Sequence, residues 1–193
     1  MSVTPEGLFE AALADSIELQ SQLKPFAPTV GKIVRLMTSA WDSGNKILFA
    51  GNGGSAADAM HFAEELVVRY NRNRKALAAL ALLDPTTVTC AGNDLGYDQI
   101  FSRQIDALAK PGDVFIGITT SGNSPNILLA LERAKAHGVH TVGFLGKDGG
   151  KAKNLCDIPL IIPSPRTARV QEAHKMIYHS MCDYFDAWAL GEV

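Results

Sequence analysis

KILFAGNGGSAADAMHFAEEL, residues 46–66, passes from one structural rhythm to another within a few positions. KILFA (46–50) is a short apolar run of strand length. Three glycines follow in four positions, Gly51, Gly53 and Gly54, and a helical pattern then runs over about 55–69. An apolar strand that turns through glycines directly into a helix is the repeating unit of a parallel sheet covered on both faces.

The rest of the chain repeats the unit. LAALALL (77–83), DVFIGIT (113–119), TVGFL (141–145) and IPLII (158–162) are further strands expected to be buried on both faces. Helical patterns lie near 97–109 and 124–137, the second stopped by Gly138, and a long helix covers about 167–190. Two helices come first. Residues 6–23 carry Leu8, Phe9, Ala12, Leu13, Ile17 and Leu23, and residues 29–42 carry Val30, Ile33, Val34, Met37 and Trp41 at helical spacing. The expected fold is α/β, a three-layer α/β/α sandwich on a five-stranded parallel sheet, flavodoxin-like or Rossmann-like. It forms one domain over 1–193, with an N-terminal helical pair (1–43) and an α/β core (44–193).

Composition narrows the partners. With 193 residues, 47 % hydrophobic and 20 % charged, the chain reads as globular, and a net charge of -2 gives no general attraction to nucleic acid or to an anionic membrane. The first residues lack the basic start and apolar centre of a signal peptide. The longest apolar run, ALAALALL (76–83), is too short to span a bilayer. Cys90, Cys156 and Cys182 have no metal-type spacing, so reduced, buried thiols in a cytoplasmic protein are expected. No repeat is present.

In parallel α/β sheets the ligand sits beyond the C-terminal ends of the strands. Gly51, Gly53 and Ala56 satisfy a dinucleotide fingerprint, but the acidic residue that would hold a ribose, Asp84, comes 28 positions after Ala56, late for that role. The glycines instead allow close backbone approach to an oxygen-rich ligand, with Ser55 either a ligand contact or simply the N-cap of the helix. The second loop, TTSGNSPNI (119–127), crowds Thr119, Thr120, Ser121 and Ser124 around Gly122. Ser124-Pro125 reads as a helix start, and hydroxyls, loop amides and a helix N-terminus together suit a phosphate monoester without a lysine. A plain capping turn would explain Ser124 and leave the other three hydroxyls unused.

His61 and Glu65 stand i and i+4 on one helical face, placed to share a metal or a substrate, or else to form a surface ion pair. Glu64 points about 100° away, as a solvated or subunit-contact carboxylate would. On the last helix, Gln171 and His179 are eight residues apart, roughly 12 Å along the axis, so their side chains barely converge. His174 and Tyr178 are the easier pair and suit a core or interface role. The basic run RYNRNRK (69–75) reads as a solvated loop, with Arg69 a minor candidate for a site.

GNGGSAADAMHFAEEL, AGNDLGYDQIFSRQ (91–104), GDVFIGITTSGNSPNI (112–127), GKDGGK (146–151) and RVQEAHKMIYH (169–179), in this order and spacing, resemble the sugar isomerase (SIS) domain family and, within it, the phosphoheptose isomerases. The resemblance implies conversion of sedoheptulose 7-phosphate to D-glycero-D-manno-heptose 7-phosphate, the first step of nucleotide-activated heptose synthesis for lipopolysaccharide core or another surface glycan. It implies Glu65 as base and His179 as acid in an enediol(ate) isomerisation. Zn2+ held by His61, Glu65, Gln171 and His179 is implied too, although glutamine is an uncommon zinc ligand. By the same transfer, substrate contacts fall on Asn52, Gly53, Gly54, Ser55, Glu65, Asn93, Asp94, Thr119, Thr120, Ser121, Ser124 and Gln171. Arg169 is a further candidate, in a segment, SPRTAR (164–169), that departs from the family pattern. A homotetramer is implied, with sites between subunits. The alternative is a non-catalytic phosphosugar-binding relative like the bacterial replication-initiator-associating protein; that relative lacks the carboxylate and histidine found here at 65 and 179.

Overall fold

The computed structural model describes residues 3–193. Five strands, β1 (Ile47–Gly51), β2 (Ala79–Ala81), β3 (Val114–Thr119), β4 (His140–Gly146) and β5 (Ile158–Ile162), form one parallel sheet in the order β2-β1-β3-β4-β5. Side chains alternate across it. Phe49, Ile116 and Phe144 face a layer made by helices α2 (Ala27–Asp42), α3 (Gly54–Val67) and α7 (Thr167–Ala189). Leu48, Phe115 and Leu145 face the opposite layer, made by α4 (Pro85–Asp94), α5 (Ser102–Leu108) and α6 (Pro125–Ala136). The register Phe49↔Ile116 and Gly51↔Ile118 ends β1 and β3 side by side, so the glycine loop and the hydroxyl-rich loop leave the sheet as neighbours.

Several local expectations are corrected. The run 77–83 yields only the three residues of β2, none of them buried, because this is an edge strand with β1 as its single neighbour. The pattern over 97–109 splits at Gly96 (φ +94°) into a 3-10 turn, Tyr97–Gln99, and α5. Ahead of it α4 forms where no helix was expected; its sequence, PTTVTCAGND, has little apolar periodicity, and Asp84 starts it by accepting a hydrogen bond from the Thr87 amide at 2.7 Å. Of the basic run, Arg74 is not solvated: its side chain is fully buried against Asp186 and donates to the carbonyls of Glu65 and Leu66, at the end of α3.

The first helix, α1 (Pro5–Ser21), is capped by Thr4, whose hydroxyl accepts from the Gly7 amide. It buries only Leu19, leaving Leu8, Phe9, Leu13 and Ile17 in solvent, Phe9 being 68 % exposed. Cys156 and Cys182 are buried, which pushes the Cys156 thiol up to about 12 and raises that of Cys182, whereas Cys90 is exposed, against expectation. No helix among the described residues is long and apolar enough to cross a membrane.

Candidate active site

Gly53 (φ +56°) turns the chain from β1 into α3 and occupies the N-cap position, so Ser55 is not the cap; it lies buried in the first turn. Two neighbouring glycines are needed for space. A Cβ on Gly51 would overlap the Ser55 carbonyl, and one on Gly54 would overlap the Gln171 amide, which is how Gln171 comes to lie at the loop.

After β3, the Thr119 hydroxyl sits 3.3 Å from that of Ser121 and 3.0 Å from that of Ser124. Ser124 stands at the N-cap of α6, yet its hydroxyl makes no capping bond. Thr119 holds it instead, and three hydroxyls form one cluster, with Thr120 alongside and partly exposed. The GKDGGK segment backs this loop: a Cβ on Gly122 (φ +64°) would overlap the Gly149 carbonyl, one on Gly150 would overlap the Gly122 carbonyl, and the Lys151 amide donates to Asn123 Oδ1 at 3.1 Å. The two loops are tied by Asn52 and Asn126, whose carboxamides exchange hydrogen bonds of 2.9 Å each. Tyr97 donates a third, 2.9 Å, to Asn52 Oδ1. Asn93 and Asp94 end α4 in solvent and bond to each other at 2.7 Å, so Tyr97 is the residue of NDLGY that reaches the glycine loop. Asn126 and Tyr97 escaped the sequence reading, though Asn126, polar and one position inside a helix start, was the available signal.

About two turns into α3, His61 Nε2 lies 3.0 Å from Glu65 Oε1. His179 joins them from α7, and one donor atom from each of the three lies within 4.8 Å of the others. The Glu65 side chain is only 15 % exposed, which sets it apart from Glu64, at 56 % and 3.9 Å from the same nitrogen. The His179 ring stacks on Tyr70 with centroids 5.5 Å apart, and burial together with nearby His61 lowers its pKa. Thus a glycine loop and a hydroxyl cluster leave neighbouring strands side by side, and the helix after the first carries an imidazole–carboxylate group.

Comparison with known proteins agrees. The SIS domain family model matches residues 13–146. The phosphoheptose isomerase of Clostridium acetobutylicum is 49 % identical over 97 % of both chains, and that of Paramagnetospirillum magneticum is 57 % identical over 82 % of this chain and 83 % of its own. The chain belongs to the SIS domain family, among its phosphoheptose isomerases. The structure of the phosphoheptose isomerase from Neisseria gonorrhoeae superposes with a TM-score of 0.90 at 40 % identity, covering 95 % of this chain and all of that one. The protein is therefore a sugar-phosphate isomerase.

A buried polar layer backs the His61–Glu65–His179 cluster. Tyr178, fully buried on α7, places its hydroxyl 3.1 Å from His61 Nδ1 and donates to Asp58 Oδ1 at 3.5 Å. Burial raises the pKa of Asp58, while Lys175, 3.8 Å away, and Tyr178 oppose the rise. Burial, then Asp58, pushes the Tyr178 phenol up as well. Tyr178 has the core position expected of it, with a polar duty added; Asp58, three residues before His61 on the same face, went unread. His174 is buried as expected and donates from Nε2 to the Leu145 carbonyl. Arg69 is exposed. Arg169 donates to the Ala12 carbonyl and to Glu172, and Arg166 pairs with Asp15, so the SPRTAR segment fastens α7 to α1.

The donor set suits a divalent cation. His61, Glu65 and His179 supply two imidazoles and a carboxylate, and His179 Nε2 is buried with no hydrogen-bond partner, as a nitrogen kept for a metal would be.

Proposed function

We propose that this isomerase converts sedoheptulose 7-phosphate to D-glycero-D-manno-heptose 7-phosphate in the cytoplasm. The observation that carries the reading is the convergence of Glu65 and His179, from α3 and α7, in the layer that the glycine loop enters. Glu65 takes the proton from the carbon beside the ketose carbonyl, giving an enediol(ate), and returns it to the adjacent carbon. His179 moves protons between the two oxygens. Ser55, Thr119, Thr120, Ser121 and Ser124 bind the phosphate with loop amides and the N-terminus of α6, and Asn52, Gly53, Gly54, Asn93, Asp94 and Gln171 hold the sugar. Phosphate binding lies remote from the reacting carbons and fixes the substrate without entering the chemistry. His61, Glu65 and His179, with Gln171 as a fourth donor, would hold Zn2+, which would polarise the substrate oxygens when bound.

The chain works as one domain and assembles as a homotetramer. Support comes from the exposed apolar residues of α1 and from a groove of about 500 Å3 between α2 and α7, lined by Phe26, Val30, Met176, Met181 and Tyr184. The product enters nucleotide-activated heptose synthesis for lipopolysaccharide core or another surface glycan.

Proton NMR of the protein with sedoheptulose 7-phosphate in D2O tests the reaction. Wild type is expected to form the aldose with solvent deuterium at C2, and Glu65→Gln to lose at least about 100-fold in rate. An inert wild type, with and without added zinc, would instead favour the phosphosugar-binding alternative or a different sugar.

A further inference from the structure

Asp58 is a buried carboxylate that the reaction does not use. Its Oδ2 has no hydrogen-bond partner, and Oδ1 has only the Tyr178 hydroxyl at 3.5 Å and the Lys175 ammonium at 3.8 Å. A buried anion stripped of its donors is strongly destabilising, and a phenol carries one proton to give. If Tyr178 spent that proton on His61, Asp58 would keep Lys175 alone, whose side chain is half exposed. The proton therefore belongs to Asp58. The Tyr178 oxygen, 3.1 Å from His61 Nδ1, is left able only to accept, so Nδ1 must carry a hydrogen.

We propose that Asp58 and Tyr178 are positioning residues that keep His61 protonated at Nδ1 and orient its Nε2 toward Glu65 and His179. The order runs Asp58 carboxylate, Tyr178 O–H donating to it, His61 Nδ1–H donating to Tyr178. It leaves Nε2, 3.0 Å from Glu65 Oε1, as the nitrogen that would meet a metal in place of the proton shared with that carboxylate, and it holds the ring from the Nδ1 side. Such outer partners set both tautomer and orientation of a ligating histidine. The relevance to zinc rests on the metal assignment proposed above; the placement of the proton does not.

The deciding experiment is 15N-resolved NMR of the His61 ring in the metal-free protein, with zinc affinity measured in parallel by competition with a chromophoric chelator. Wild type is expected to show a protonated Nδ1. Asp58→Asn places an amide donor against the Tyr178 oxygen, turns the Tyr178 proton toward His61 and is expected to move the ring hydrogen to Nε2. Tyr178→Phe is expected to leave Nδ1 without its partner and, like Asp58→Asn, to weaken zinc binding about 10–100-fold. A bare Nδ1 in wild type overturns the proposal, even if neither variant folds. An unchanged tautomer in a folded Asp58→Asn protein also overturns it. Wild type that binds no zinc while showing a protonated Nδ1 would remove the metal assignment and leave the positioning role intact.

Discussion

Thr119 holds two serine hydroxyls at once, so the hydroxyl cluster is arranged before any ligand arrives. A hydrogen bond to a charged oxygen contributes about 1.5–3 kcal/mol. Ser121→Ala is accordingly expected to raise KM about 10-fold or more and leave kcat within a few-fold, because a remote binding contact acts equally on ground and transition states. Steady-state kinetics check this, and an equal fall in kcat would place Ser121 among the reacting groups. His174 offers a pH test. Burial lowers its pKa to about 4, below the usual imidazole value of about 6.5 that the unfolded chain regains. Above that value both states are neutral and His174 has no effect. As pH falls from about 6.5 toward 4 the unfolded chain takes the proton first, and stability drops by at most about 1.4 kcal/mol per pH unit. Urea titrations across this range should show a flatter slope for His174→Gln, whose amide can still donate to Leu145. At this scale the sequence was partly readable. His61 and Glu65 follow from helical periodicity alone, whereas His179 approaches them only through the packing of α7 on α3, a tertiary fact that no spacing within α7 contains.

Among the elements, α3 carries His61 and Glu65, and its far end is held from outside. Arg74 donates to the Glu65 and Leu66 carbonyls while Asp186 balances its charge; Asp186 also accepts from the Asn71 and Arg72 amides. Removing one member of a fully buried ion pair leaves the other uncompensated, at a cost of about 3–5 kcal/mol. Arg74→Met should therefore lower the urea midpoint by an amount equivalent to about 3 kcal/mol or more, and a shift below about 1 kcal/mol would show that water replaces the guanidinium. Element legibility followed burial. β1, β3 and β4 are apolar along the stretch that both layers cover, and they were read within a residue or two. At the sheet edge β2 has one neighbour and shrinks to three residues, while α4 is recruited by Asp84 and by packing rather than by any apolar stripe.

For the molecule as a whole, α1 is the outlying element. Phe9, Leu13 and Ile17 lie in solvent on a helix tied to α7 through Arg166 and Arg169. Light scattering at micromolar concentration is expected to give the mass of a tetramer, and Phe9→Lys with Ile17→Lys is expected to give a smaller species with unchanged far-UV dichroism. A monomeric wild type would mean that this face serves another purpose. The packing of α1, α2 and α3 on α7 also has a consequence in time. α7 begins at Thr167, 100 positions after α3 ends at Val67. At about 5–20 residues per second, a ribosome takes about 5–20 s to cover that stretch. Throughout it, His61 and Glu65 exist without His179, and the apolar residues that α7 will cover are open to chaperones. A nascent chain halted anywhere before its last helix has both loops and two members of the imidazole–carboxylate group, but not the third.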